Sequence, residues 1–286
     1  MPHPEIIAEN SAMRDAIQKV RATGQIVGFV PTMGALHAGH LSLIKESKDR
    51  CDVTVVSIFV NPLQFDEQHD LVNYPRDLAA DVSSLEQLSV DYVFTPSPEQ
   101  MYPNGHCISV DVGPLAQMLE GRFRPGHFSG VATVLLKLFH LIPANIVFFG
   151  TKDYQQLKVV QQVVEDSNLP IEIVGCPTVR EEDGLAMSSR NRLLSQEERQ
   201  RAKCVYESLE NAQRMADEGE RDPKNMIHTI RKHLDRADVK IDYVALVNPN
   251  TLYPEKELIK NTLALVAVRL GSIRLLDNRL IQVGAR

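Results

Sequence analysis

A doubly wound parallel α/β sheet followed by a smaller α+β domain is the fold that this sequence predicts. Three observations carry the expectation. Over residues 1–178, short runs rich in Val, Ile and Phe alternate with amphipathic stretches of helical period. Those apolar runs are nearly continuous, as in strands covered on both faces, where strict alternation is lost. Over residues 179–286 the order changes to long polar helices and then three strand-like runs. The βαβ rhythm of the first part indicates a parallel sheet. In such sheets ligands bind at the carboxyl ends of the strands.

Taken in order, the expected strands of the first domain are Ile26–Val30, Val53–Val60, Asp91–Thr95, Ile108–Val112, Ile146–Phe149 and Ile171–Val174. Helical patterns fall at Ser11–Arg21, Gly39–Asp49, Asp77–Leu88, Val131–Leu141 and Asp153–Asp166. A boundary is expected near Thr178–Asp183, where Pro, Gly and charge cluster. Beyond it, Ser195-Gln-Glu-Glu198 has the form of a capping box opening a helix over Gln196–Glu218. Asp222-Pro223 starts another helix, with proline at the first helical position, where its missing N–H does no harm. Ile241–Val247, Leu263–Val268 and Ile273–Val283 then read as antiparallel strands.

Composition narrows the function classes. The 286 residues are 43% apolar and 24% charged, ordinary globular values. With 31 basic and 37 acidic residues the net charge is −6, without the excess of basic charge typical of a general nucleic-acid binder. Cys51, Cys107, Cys176 and Cys204 form no CxxC pair, so they are expected to be reduced thiols of a cytoplasmic protein. The most apolar window, Val131–Gly150, is interrupted by Lys137, His140, Pro143 and Asn145. It falls short of the ~20 apolar residues of a membrane span.

Five clusters carry chemistry. Pro31-Thr-Met-Gly34-Ala-Leu-His37-Ala-Gly39-His40 follows an expected strand and opens an expected helix. Backbone N–H groups and the helix dipole there suit a phosphate, and two histidines suit charge developing on a bridging oxygen. Gly39 leaves room for a base or ribose to approach the backbone. Phe149-Gly150-Thr151-Lys152-Asp153-Tyr154-Gln155-Gln156 also sits between strand and helix: Lys152 and Asp153 read either as phosphate and Mg²⁺ ligands or as a capped helix start. Met187-Ser188-Ser189-Arg190-Asn191 reads as a phosphate clamp or as a serine-rich loop. Asn61 and Gln64, in Asn61-Pro-Leu-Gln64-Phe65, orient a polar ligand or form a turn. Arg122-Phe-Arg124-Pro-Gly-His127-Phe-Ser-Gly130 is a basic loop that closes over an anion or lies on the surface.

Together with Tyr74-Pro-Arg-Asp77 and Gly184–Asn191, these clusters resemble, in order and approximate spacing, the pantoate–β-alanine ligase family. HxGH also resembles the signature of the wider nucleotidyltransferase superfamily, with a Rossmann-like sheet. The resemblance spans nearly the whole chain, by layout more than by motif over the C-terminal part. It implies ATP-dependent condensation of (R)-pantoate with β-alanine through a pantoyl-adenylate, giving pantothenate, AMP and pyrophosphate. It places ATP at Met33, Gly34, Ala35, Leu36, His37, Ala38, Gly39 and His40, at Gly150, Thr151, Lys152 and Asp153, at Val179, and at Met187, Ser188, Ser189 and Arg190. His40 maps to the family's proton donor. Gln64 and Gln156 map to the pantoate site, with Gln64 also beside β-alanine.

On this reading His37, His40, Lys152 and Arg190 supply the positive charge that brings a carboxylate against a triphosphate. Mg²⁺ adds to it, held through Asp153. The resemblance further implies a homodimer through the larger domain. No nucleic-acid or membrane partner is expected, and no covalent enzyme intermediate that would need a cysteine. Thr151 departs from the family's usual Glu, which removes an acid but leaves Gly150, Lys152 and Asp153. A nucleotidyltransferase acting on a phosphorylated small molecule is the alternative that HxGH alone allows.

Overall fold

The computed structural model describes residues 3–65, 68–103 and 108–283. The chain divides into two compact units: Met1–Thr151 with Gln155–Pro177, and Lys152–Tyr154 with Thr178–Arg286.

In the first unit the Val- and Phe-rich runs pair into one six-stranded parallel sheet. Its strands are β1 (Glu5–Ile7), β2 (Val27–Thr32), β3 (Val53–Ile58), β4 (Tyr92–Phe94), β5 (Ile146–Gly150) and β6 (Glu172–Cys176), in the order β1-β4-β3-β2-β5-β6. The helices are α1 (Asn10–Ala22), α2 (Ala38–Arg50), α3 (Gln68–Asn73), α4 (Leu78–Gln87), α5 (Pro98–Met101), α6 (Glu120–Phe123), α7 (His127–Leu141) and α8 (Tyr154–Asp166).

Both faces of the sheet are covered, and consecutive strand residues therefore enter different cores. Phe29 and Val147 pack with Met13 and Ile17 of α1, Val134 and Leu138 of α7, and Leu157 and Val160 of α8. Val30 and Phe148 pack on the other face with Leu43 and Ile44 of α2 and Leu85 of α4. Phe29, Phe94 and Phe148 are fully buried, each contributing roughly 1.5–3 kcal/mol. The strand order reverses between β2 and β5, since β3 and β4 extend the sheet one way and β5 and β6 the other. At such a reversal the loops leaving two adjacent strands diverge and open a crevice.

One expected strand is absent. Ile108–Val112 is irregular, because its backbone groups are satisfied by side chains of α7: the Val110 N–H donates to Thr133 Oγ1 (3.0 Å) and Ser129 Oγ donates to the Val110 carbonyl (2.7 Å). Conversely, the short edge strand β1, Glu5-Ile-Ile7, is not among the expected strands; its two isoleucines are too short a run to read as a strand alone, and it pairs with Tyr92–Phe94.

In the second unit, α9 (Gln196–Asp217) and α10 (Pro223–Arg236) pack against an antiparallel sheet of β7 (Lys240–Val247), β8 (Thr262–Leu270) and β9 (Ile273–Ile281). Ser195 and Glu198 form the expected capping box, and Pro223 sits in the first turn of α10. Ala202, Val205, Leu209, Met226 and Ile230 of the helices share one core with Val244, Val266 and Val268 of the strands. Among the described residues no helix is long and apolar enough to cross a membrane.

Candidate active site

The loop leaving β2 lies at the reversal point, and its shape is dictated by a carboxylate distant in sequence. Gly34 and Ala35 both adopt positive φ, 82° and 51°. That conformation suits glycine and strains alanine by about 1 kcal/mol or more. Asp81 of α4, only 4% exposed, holds it. Its two oxygens accept the N–H groups of Ala35 (2.9 Å) and Leu36 (2.7 Å). Thr32 Oγ1 accepts the Gly34 N–H and donates to the Ser57 carbonyl. Nothing local marked Asp81 except its place four residues before core Leu85 on the buried side of α4. A pocket of about 270 Å³ opens beside the loop, lined by Met33, Gly34, Phe59, Arg76 and Asp81 among others.

The two histidines of HxGH are the N-cap and third residue of α2 and cap it reciprocally. His37 Nδ1 accepts the Gly39 N–H (3.1 Å), and His40 Nδ1 accepts the His37 N–H (3.3 Å). An imidazole that accepts at Nδ1 carries its neutral-state proton on Nε2. The two rings lie 4.1 Å apart between centroids. Both are half-buried at the positive end of the α2 dipole, beside half-buried Gly39 and exposed Ala38.

Gln64 is held from three sides. Its carbonyl accepts from Arg124 Nη2 (3.0 Å) and His127 Nδ1 (2.8 Å). Arg124 Nη1 lies 3.3 Å from His127 Nε2. Because a guanidinium only donates, His127 accepts at Nε2 and carries its proton on Nδ1. Gly130 carries the backbone of α7 so close that a Cβ there would sit 2.1 Å from the Leu63 carbonyl oxygen. Arg124 and buried His127 thus anchor the Arg-Pro-Gly-His segment to the Gln64 backbone, while Pro125 and Gly126 between them are exposed. Asn61, 1% exposed, donates to Gln64 Oε1, while Gln64 Nε2 donates to Met33 Sδ (2.6 Å). Gln156 stands half-buried in the first turn of α8, beyond Gly150. Its neighbour Gln155 is buried and spans Leu115, Met118 and Glu120 with three hydrogen bonds.

Thr151 turns the chain after β5, its methyl beside Gly175. Lys152 and the half-exposed Asp153 follow, with Nζ and Oδ1 3.7 Å apart. Asn278 Nδ2 donates to the Lys152 carbonyl within the second unit (2.7 Å).

Also in that unit, Val179 and Met187 are brought together by a hairpin: the Met187 N–H donates to the Val179 carbonyl (3.0 Å), and Arg180 bridges Ala186. Ser188 Oγ caps the turn Ser189–Leu193 by accepting the Arg190 N–H, and Ser189 is buried. Arg180 makes a two-point ion pair with buried Asp277, and Arg199 bonds both Glu181 and Asp183. The hydrogen bond from Arg199 keeps the Asp183 carboxyl below its ordinary range. No activated thiol occurs among the described cysteines: burial pushes Cys176 up to about 11 and Cys204 to about 12. Cys107 lies outside the described residues.

Comparison with known proteins shows the family. The family model described as Pantoate-beta-alanine ligase matches residues 5–280. Pantothenate synthetase of Aquifex aeolicus is 49% identical over 281 residues, covering 98% of this chain and 99% of that protein. That of Sulfurihydrogenibium sp. is 49% identical over 276 residues, covering 96% and 99%. A crystal structure of the Thermus thermophilus enzyme superposes with a TM-score of 0.93 at 42% identity, over 97% of this chain and 99% of that one. A Francisella tularensis pantoate-beta-alanine ligase, solved with beta-gamma ATP and beta-alanine, superposes with a TM-score of 0.83 at 36% identity, over 98% and 99%. The match runs through both units, from β1 to the last strand, and the chain belongs to the pantoate–β-alanine ligase family.

Proposed function

We propose that this chain condenses (R)-pantoate with β-alanine at the expense of ATP. The pantoate carboxylate attacks the α-phosphorus, giving pantoyl-adenylate and pyrophosphate. The β-alanine amine then attacks the acyl carbon, giving pantothenate and releasing AMP. The observation that carries the reading is the histidine pair, with both Nδ1 atoms engaged by backbone N–H groups at the start of α2 and the strand-order reversal beside it. Two Nε2–H donors aimed at a triphosphate stabilise charge on the departing pyrophosphate. One such donor contributes roughly 3–4 kcal/mol to the transition state. His40 is assigned the proton-donor role.

The remaining residues take the places that the family pattern gives them. Met33 through His40, Gly150 through Asp153, Val179 and Met187 through Arg190 bind ATP, with Lys152, Arg190 and His37 carrying the charge that lets two anions meet. Gln64 and Gln156 orient pantoate, and Asn61 acts through Gln64. Neutral amides fix the carboxylate without the ion pair that would blunt it as a nucleophile. Residues 1–178 serve as the nucleotide- and pantoate-binding domain and residues 179–286 carry the phosphate clamp. Asp153, a single half-exposed carboxylate, fits Mg²⁺, which keeps several waters and takes its other ligands from substrate phosphates. Bound there, Mg²⁺ neutralises phosphate charge. The chain acts as a cytoplasmic homodimer without nucleic-acid or membrane partners.

Pyrophosphate release from ATP, Mg²⁺ and pantoate tests the proposal, with and without β-alanine. Sustained AMP formation only with β-alanine, and at most a single-turnover burst without it, is the expected result. No pyrophosphate under either condition overturns it.

A further inference from the structure

The Asn61 amide is saturated. Its Oδ1 accepts the Leu63 N–H (3.2 Å) and the Tyr102 hydroxyl (2.7 Å). Its Nδ2 donates to the Gly130 carbonyl (3.1 Å) and to Gln64 Oε1 (3.3 Å). A primary amide has two acceptor sites and two hydrogens, and all four are used. Reversing it would set a donor against the Leu63 N–H and an acceptor against the Gly130 carbonyl, so it has one orientation. Tyr102 completes that set from 41 residues away, half-buried against Phe59 with Lys137 Nζ 5.8 Å from its ring centre. Burial raises the pKa of the phenol, so it keeps the proton it donates.

The orientation passes to Gln64. Asn61 offers Gln64 an N–H, so Gln64 must turn its oxygen inward and its NH₂ outward. The outward Nε2 rests on Met33 Sδ, a weak acceptor that a better one displaces readily. We infer that Tyr102 is a positioning residue for the acid substrate: its hydroxyl holds in place the Asn61 amide, whose direction the Leu63 N–H and Gly130 carbonyl set, and Asn61 in turn fixes the Gln64 amide with its NH₂ toward the ligand. The pocket therefore reads an acceptor oxygen at that point, a carboxylate or hydroxyl oxygen of pantoate. This inference rests on the assignment of Gln64 to pantoate.

Calorimetric titration of the intact protein with pantoate, and separately with ATP, tests it without depending on turnover. The proteins are wild type, Tyr102→Phe, Gln64→Ala and the double variant. Loss of one hydrogen bond corresponds to roughly three- to tenfold weaker binding. Tyr102→Phe is expected to weaken pantoate by that factor and leave ATP unchanged. In the Gln64→Ala background it is expected to add nothing, because its effect runs through that amide. A purely structural role would weaken both ligands, or multiply the loss in the double variant, and either result overturns the inference. Asn61→Asp keeps the size but turns the donor facing Gln64 into an acceptor, and is expected to weaken pantoate more than Tyr102→Phe does.

Gln64→Ala weakening pantoate while Tyr102→Phe leaves it unchanged overturns the inference alone. Pantoate binding to the wild type with Gln64→Ala silent overturns the Gln64 assignment and, with it, the inference.

Discussion

His37 and His40 each serve two purposes. At Nδ1 they cap the first turn of α2; the same bonds set the tautomer that presents Nε2–H. His40→Ala removes one cap partner and one donor. The helix keeps the His37 cap, so the protein is expected to fold. Pyrophosphate release in a single turnover is expected to fall about 10²-fold or more. Near wild-type rates would remove the role given to His40. Asp81 belongs to the same scale, because a buried carboxylate with two backbone donors holds the loop in a conformation that Ala35 would not choose.

At the scale of elements, the start of α7 and the turn Pro62–Gln64 work as one piece. Gly130 lets α7 approach the turn to within a distance that no side chain permits, and Asn61, Arg124 and His127 bond across the contact. Gly130→Ala forces the Leu63 carbonyl away. Pantoate binding is expected to weaken at least tenfold with a lower melting temperature, while ATP binding changes less; thermal melts and the two titrations check this. In the second unit the hairpin from Val179 to Met187 is tied to α9 by Arg199 and to β9 by Arg180. A tether of this kind places Ser188, Ser189 and Arg190 on a rigid support, which suits the phosphate-clamping role proposed for them.

For the whole molecule, the ion network around Arg199 makes stability depend on pH. Asp183 has a lowered pKa in the folded state, so it contributes stability above its unfolded value near 4. That contribution is lost as pH falls through the lower folded value. Arg199→Ala is therefore expected to lower the melting temperature at pH 7. The gap from wild type is expected to narrow below about pH 4, where protonation removes the same bonds. A gap of constant size down to about pH 2–3 would assign the effect of Arg199 to packing instead.

Much of this was legible before the structure. Continuous Val and Phe runs specified strands buried on both faces, because each face of a covered sheet needs apolar side chains. The capping box at Ser195 and the proline at the start of α10 could be read because helix ends are settled by residues within four positions. HxGH and the glutamine motifs pointed to the chemistry for a similar reason: their residues lie close together along the chain.

What the residues did not reveal is how those motifs are held. Ala35 and Asp81 are 46 residues apart, and Gln64 and His127 are 63. Ile108–Val112 has strand composition, yet its backbone bonds go to the side chains of Ser129 and Thr133. Hydrogen bonds of that range depend on where packing carries each element. Local order therefore follows from spacing along the chain, while the aim of Gln64 and the bend before His37 come from contacts that exist only once the sheet and its helices have closed around them.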